Sequence, residues 1–130
     1  MKGTLAPDAE AIAAIAEQAL EAIPERLRRH VRGVGIMVDE LADDETVAEL
    51  GIESPYDLTG LYDGVPWGEK DSGAMPRRPD TIHLYRQAIL LEWIETGETL
   101  ERLVRNVLIH EIAHHFGFSD ETIARLEREG

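Results

Sequence analysis

The sequence predicts an α+β fold in which several helices accompany three short strands. Apolar residues recur at intervals of three and four near both ends of the chain, which is the period of an amphipathic helix. Between these segments lie three short runs rich in β-branched and aromatic residues, next to glycine or proline turn signals, a pattern typical of strands. With 130 residues, 43% of them hydrophobic, the chain is long enough for one compact domain, expected to span 1–130.

The first half of the chain predicts two helices followed by two strands. A helix with one apolar face starts near Pro7. Pro24 begins a short basic helix, and His30 at its end is expected on the solvated surface. Strands are predicted at residues 34–39 and 58–62. The acidic run between them is interpreted as a solvated turn and helix start, since it lacks the spacing of a calcium-binding loop.

The second half predicts a loop, a third strand and three helices. Residues 67–79 combine glycine, proline and basic side chains and indicate a long surface loop. Residues 81–86 alternate between two faces as a strand does, and if this is an edge strand its backbone could pair with an extended peptide. Helices are expected at 87–95 and at about 99–116, and Ser119 caps a last short helix.

Charge and composition exclude several classes of function. There are 13 basic and 26 acidic residues, so the net charge is 13 − 26 = −13 and nucleic acid is not an expected partner. Without cysteine, a transition metal could be bound only through imidazole and carboxylate groups. Acidic residues interrupt the first apolar segment, so neither a signal peptide nor a membrane span is predicted, and the expected location is the cytoplasm.

A metal-site motif lies on the helix at 99–116. His110 and His114 are one turn apart, so both imidazoles project from one side and can reach a single zinc ion. Glu111 lies beside them, where a carboxylate can take a proton from a metal-bound water. Gly117 can adopt the positive φ that ends a helix, and Asp120 could then supply a third ligand while a fourth position stays open for water.

Chance does not account for this motif. With this composition, His-Glu-x-x-His arises at random with a probability of roughly 2%, and the extension to Gly117 and Asp120 lowers that to on the order of one in 10,000. The third ligand stays open, because an acidic residue is also favoured by the dipole in the first turn of a helix. The other candidates for this ligand are Glu121, Glu127 and Glu129.

Helical phase adds an expectation about burial. The apolar stripe of this helix, continued at 100° per residue, reaches Glu111, His114 and His115, with His110 at its edge. These polar groups are therefore expected on the buried side, where a metal would satisfy them. His115 points about 100° away from His114 and is interpreted as a hydrogen-bonding neighbour of the metal site rather than a ligand.

Three residues that do not belong to the motif, His83, Tyr85 and Arg105, are further candidates for a role at the site. His83 and Tyr85 could donate hydrogen bonds to an oxyanion formed during attack on a peptide, although histidine and tyrosine on a half-exposed strand usually have only packing and surface roles. Arg105 could brace Glu111 or Asp120, and is otherwise a structural partner for nearby carboxylates.

Together these segments resemble the small bacterial zincin-like metallopeptidases described as having a matrix-metalloprotease-like domain. The resemblance rests on three stretches: Leu61-Tyr62-Asp63-Gly64-Val65-Pro66, Pro79-Asp80-Thr81-Ile82-His83-Leu84-Tyr85-Arg86, and Val104-Arg105 leading into His110 to Gly117 and Asp120. It extends from Ile23-Pro24 to Leu126. Two departures are the absence of a methionine after the motif and the shortness of the chain beyond Asp120.

The resemblance implies a minimal zincin-like fold, with a small mixed sheet of about three strands packed on the motif helix and helices flanking it. It implies zinc held by His110, His114 and Asp120, with Glu111 as the general base. In larger zincins the edge strand above the motif helix pairs with substrate, and the segment Ile82, His83, Leu84, Tyr85 looks like that strand.

The leading functional hypothesis is a zinc-dependent peptidase that acts on peptides or unfolded protein. A second hypothesis is a zinc-binding regulatory or partner-binding module with little or no proteolytic activity. A third, a metal-dependent RNA hydrolase, is disfavoured by the net charge of −13 and by the glutamate in the second motif position.

Overall fold

A computed structural model describes residues 5–64 and 80–129 and confirms the α+β class. The helices of these ranges are α1 (Ala9–Ala22), α2 (Glu25–Arg28), α3 (Asp44–Leu50), α4 (Arg86–Thr96), α5 (Leu100–His115) and α6 (Asp120–Arg128). The strands are β1 (Gly35–Asp39), β2 (Gly60–Asp63) and β3 (Thr81–Tyr85), and a 3₁₀ turn at Pro55–Asp57 precedes β2. The loop predicted at 67–79 lies outside the described residues.

Side-chain caps begin most of the longer helices at the residues that the sequence indicates. Asp8 accepts a hydrogen bond from the backbone N–H of Ala11 at the start of α1. Ser119 caps α6 through the N–H of Thr122, as predicted. Because each cap satisfies an N–H group that has no partner inside its helix, the helix starts are determined locally.

The three strands form one mixed sheet in the order β1-β3-β2. β3 runs parallel to β1 and antiparallel to β2. The condition that the strand at 81–86 lies at an edge is therefore not met: β3 is central, and its backbone groups bond to strands on both sides. The segment Ile82, His83, Leu84, Tyr85 cannot add an extended peptide, because no free edge is left there.

Helix α5 is the central element of the core. Leu108, Ile109 and Ile112 are fully buried, and α1, α6 and β2 all contact the helix. From the sheet, Ile82 and Leu84 are fully buried on the side that faces this core. Burial of these aliphatic side chains, each contributing about 1.5–3 kcal/mol, fixes α5 against the sheet.

His30 does not lie free on the basic surface, as the sequence suggested. It is partly buried, and its ring stacks on Phe116 with a centroid distance of 4.7 Å. The side chain therefore packs against the end of the motif helix, because the apolar ring of Phe116 offers a partner that a local charge pattern cannot reveal.

No helix in the described ranges combines the length and the apolar character required to cross a membrane.

Candidate metal centre

The last turn of α5 ends the way the motif predicts. Gly117 has a φ of +80°, and its N–H donates to the carbonyl of His114. The N–H of Phe118 donates to the carbonyl of Ala113 at 2.9 Å, which completes a Schellman turn. This turn reverses the chain directly after the histidines, so Ser119 can start α6 beside the end of α5.

His110 and His114 form a pair of imidazoles on one side of α5. Their ring centroids are 6.0 Å apart and the ring planes differ by 10°. Both side chains are exposed, His110 by 53%. Two neutral imidazoles at this spacing suit one zinc ion, since zinc prefers nitrogen ligands and both rings are open to solvent.

The exposure of these histidines corrects the prediction from helical phase. In the C-terminal half of α5, Ile109, Ile112 and Ala113 are fully buried, and Ile112 lies on the opposite side of the helix from the two histidines. The buried surface of α5 is therefore broader in its last turns than the stripe predicts: it includes Ile109, Ile112 and Ala113, while β2 lies over Val107 and Glu111. Glu111 and His115 are half-buried, so the phase argument is right for them.

Glu111 lies between the motif helix and the sheet. Burial raises the pKa of its carboxyl group to about 7, while the charge of His110 and a hydrogen bond from the backbone N–H of Tyr62 oppose that rise. A carboxyl group with a pKa near neutrality can both accept and release a proton at physiological pH, which is the requirement for a general base.

Strand β2 approaches α5 at a glycine. A Cβ atom at Gly60 would lie 2.8 Å from Cγ1 of Val107 and 3.4 Å from Cγ of Glu111. Only a residue without a side chain lets the strand come this close, and this closeness brings the N–H of Tyr62 to the Glu111 carboxylate. Sequence reasoning missed Gly60, because a glycine inside a strand does not reveal what it packs against.

Tyr62 connects the strand to three neighbours and was also missed as a site residue. Besides its N–H bond to Glu111, its ring stacks on His115 with centroids 4.0 Å apart. Its hydroxyl donates to Asp80 at 2.7 Å, and burial together with this carboxylate raises the pKa of Tyr62 far above its usual value. The predicted role of His115 beside the metal remains a prediction, but its contact with Tyr62 fixes its ring in place.

The third ligand is not assembled among the described residues. Asp120 is exposed in the first turn of α6, behind the Ser119 cap. Glu127, one of its rivals, lies beside the pair: its Oε1 is 3.5 Å from Nδ1 of His110. Within residues 5–64 and 80–129, no group of three histidine, aspartate or glutamate side chains is placed to hold a metal ion. Asp120 as a ligand therefore stays a prediction.

Two arginines of α5 hold the C-terminal end of α6. Arg102 donates to the carbonyl of Glu127 at 3.0 Å, and Arg105 donates to the same carbonyl at 3.2 Å and to that of Glu129. Arg105 thus braces a helix end, where cations satisfy unpaired carbonyls, and not Glu111 or Asp120. By holding the backbone at Glu127, the arginines place its carboxylate next to His110.

A cleft of about 400 Å³ opens beside the motif. His110, Glu111 and Val107 of α5 line it, and Thr59 lies at its sheet side. Among the described residues, the other charged side chains that line it are the carboxylates of Glu92, Glu98 and Glu127. The cleft gives an open, acidic approach to the imidazole of His110 and the carboxyl group of Glu111.

His83 and Tyr85 are not brought to the motif. Gly60, which touches α5, is paired with Leu84, so the strand alternation turns His83 and Tyr85 to the other face of the sheet. His83 lies there between Asp39 and Asp63, at 3.3 Å and 3.6 Å. This position lends no support to their predicted role as oxyanion donors.

The comparison with protein families gives a match over most of the chain. A family model described as zincin-like metallopeptidase covers residues 31–129, which include the three strands and all of the motif. Comparison with curated proteins gives no match.

Proposed function

Because the chain belongs to the zincin-like metallopeptidase family, we propose that it is a zinc-dependent peptidase with His110 and His114 as zinc ligands. Zinc bound there would polarise the scissile carbonyl and lower the pKa of an attacking water. Glu111 is the general base: it takes the proton of that water and passes it to the leaving amine. The observation that carries the proposal is the half-buried Glu111, with a pKa of about 7, beside two parallel exposed imidazoles.

Glu127 is proposed to orient His110. A ligating histidine commonly donates its second ring N–H to a carboxylate, which fixes the tautomer and the ring direction. With Nδ1 facing Glu127 at 3.5 Å, Nε2 of His110 is left for the metal. Asp120 remains the proposed third ligand, supported by its place just after the turn at Gly117.

Strand β2 is proposed as the strand that pairs with substrate. β2 is at the edge of the described sheet and lies over Glu111. Thr59 already bonds to Tyr85 of β3, so by the antiparallel alternation the backbone groups of Gly60 and Tyr62 point outward. An extended peptide bonded to Gly60 would place its carbonyl groups next to the cleft that Glu111 and His110 line.

The test compares zinc-loaded wild type with Glu111→Gln on a mixture of synthetic peptides, with cleavage followed by mass spectrometry. We expect Glu111→Gln to lower kcat/KM by about 10²–10⁴-fold, because the amide cannot take the proton. Glu101→Gln, an exposed change on the same helix, is the matched control and should cleave like wild type. Zinc content of all three proteins is measured first, and equal cleavage by wild type and Glu111→Gln would overturn the assignment.

The second candidate is a zinc-binding module without turnover. It is favoured by the incomplete set of ligands, since only two of the three predicted ligands lie side by side. This candidate requires stoichiometric zinc binding and no product from any peptide in the mixture, whether Glu111 or glutamine is present. Cleavage that depends on Glu111 would exclude it.

A further inference from the structure

Strand β2 carries the N–H group that bonds to the Glu111 carboxylate, and the sheet alone does not fix this group. The strand is four residues long, from Gly60 to Asp63, and it lies at the edge of the described sheet. In an antiparallel pair only every second residue bonds to the neighbouring strand, so Leu61 bonds to β3 while the N–H of Tyr62 points outward. The position of this N–H group therefore depends on how the Tyr62 side chain is anchored.

The side chain of Tyr62 is held at its ring and at its hydroxyl group. The residue is 8% exposed, and its ring stacks on His115 with centroids 4.0 Å apart while Phe116 meets it edge-on at 5.7 Å. These contacts set the height of the ring above α5. The hydroxyl donates to Oδ2 of Asp80 at 2.7 Å, and this directional bond fixes the far end of the ring. Because the ring is rigid, a fixed far end also restricts the backbone to which it is attached.

Asp80 is itself a firmly placed acceptor. Its backbone carbonyl accepts a hydrogen bond from the N–H of Gly35 at 2.9 Å, which ties it to β1. The antiparallel register, continued by one residue beyond β2, places Gly64 opposite Asp80. A Cβ atom at Gly64 would lie 2.5 Å from Cγ of Asp80, so the carboxylate occupies the space that a larger residue would fill. The glycine thus lets the carboxylate lie beside Tyr62, its diagonal neighbour across the strands.

We propose that Tyr62 and Asp80 are positioning residues for Glu111. Their hydrogen bond holds the outer edge of β2 where the N–H of Tyr62 meets the Glu111 carboxylate, and the carboxylate is thereby directed along the wall of the cleft that it lines. Both side chains act through the backbone of β2 and not by touching a substrate. The inference rests on the proposed role of Glu111 as general base, and it adds the contact that orients this base.

Amide hydrogen exchange of the full chain without zinc, followed by ¹H–¹⁵N NMR, tests the contact directly. The N–H of Tyr62 points away from β3 and Glu111 is its acceptor, so slow exchange reports this hydrogen bond. We expect Asp80→Ala to accelerate exchange at Tyr62 at least about tenfold, while the amide of Leu61, which bonds to β3, stays within about twofold of wild type. Equal acceleration at both amides would reduce the pair to a general stabilising role, and an unchanged rate at Tyr62 would overturn the proposal.

Further variants act on the same contact from different sides. Tyr62→Phe removes the donor, and Gly64→Ala displaces the Asp80 carboxylate while both partners remain, so each should reproduce Asp80→Ala even if that variant does not fold. Asp80→Asn keeps an acceptor oxygen and should retain slow exchange at residue 62. Tyr56→Phe is the matched control: it loses a tyrosine hydroxyl bond of the same kind, to Gln87 at 2.9 Å, and should exchange like wild type. Slow exchange at residue 62 in both Tyr62→Phe and Gly64→Ala would contradict the proposal.

Peptide cleavage by the zinc-loaded proteins gives the second readout. Tyr62→Phe and Asp80→Ala should each lower kcat/KM about tenfold or more, and the double variant should lose no more than either single one, because both remove the same bond. Tyr56→Phe should cleave like wild type. If wild type cleaves no peptide, the peptidase proposal fails and hydrogen exchange alone decides the positioning role. If wild type cleaves and Tyr62→Phe matches it in both readouts, the positioning role fails and the peptidase stands.

Discussion

At the scale of single residues, the candidate site depends on how each ionisable side chain is held. Burial between α5 and β2 raises the pKa of Glu111, and a hydrogen bond from the backbone N–H of Tyr62 orients its carboxylate. His110 and His114 are exposed but share one side of the helix, so their spacing alone brings the rings together. Spacing is visible in the sequence, whereas burial and the hydrogen bond from β2 are not.

The ligand assignment predicts a graded loss of zinc affinity, measured by competition with a fluorescent chelator. His114→Ala should weaken zinc binding by more than the 10–100-fold that loss of an orienting partner costs, because it removes a ligand. Glu127→Gln should fall within that 10–100-fold range if it orients His110. Asp120→Asn should resemble His114→Ala if Asp120 is the third ligand.

His83→Gln is the control for these measurements, because His83 lies on the other face of the sheet. It should bind zinc as tightly as wild type. Asp120→Asn could leave the zinc affinity unchanged while Glu127→Gln weakens it as much as His114→Ala does. In that case Glu127, and not Asp120, would be the third ligand.

At the scale of secondary-structure elements, the distance between β2 and α5 decides whether the site forms. Gly60 allows the strand to contact Val107, and this contact places the outward edge of β2 over Glu111. The helix ends are local features, set by the Schellman turn at Gly117 and the cap at Ser119. The order of the strands is not local, which is why β3 could be mistaken for an edge strand.

Gly60→Ala is expected to destabilise the protein by about 1–3 kcal/mol, because the new methyl group overlaps Val107 and also lies 3.3 Å from the carbonyl of His83. Urea unfolding measures the loss. Gly35→Ala is the matched control: this strand glycine has its nearest neighbour at 3.9 Å, so the change should stay within about 0.5 kcal/mol. Similar values for both variants would show that strand conformation, and not the contact with α5, sets the cost.

At the scale of the whole molecule, acidic charge dominates the surface and two of its cavities. The net charge of the chain is −13. Glu92, Glu98 and Glu127 line the cleft beside the motif, and three aspartates line a cavity on the opposite face of the sheet. Such a field attracts cations, including divalent metal, and repels anionic polymers. In the described part of the chain, a three-stranded sheet and the core around α5 hold the fold together, and a ligand that binds the folded state alone adds to its stability.

Zinc should therefore raise the melting temperature of the protein. At a free concentration 100-fold above Kd, binding stabilises the native state by about 2.7 kcal/mol, which for a chain of 130 residues corresponds to on the order of 10 °C. Calorimetry with and without zinc measures the shift, and a chelator should reverse it. The double variant His110→Ala, His114→Ala should show no shift; a shift as large as that of wild type would mean that zinc binds elsewhere.

The sequence by itself determined the helix that carries the motif, the positions of the three strands, the turn at Gly117 and the pairing of His110 with His114. All of these depend on periodicity, capping and spacing over a few residues, which the chain encodes locally. The tertiary structure alone decided the rest: β3 is central, β2 lies over Glu111 through Gly60 and Tyr62, and Glu127 faces His110. These relations join residues far apart in the chain. They depend on which faces of the helices and strands pack together in the core, and that packing involves all of these elements simultaneously.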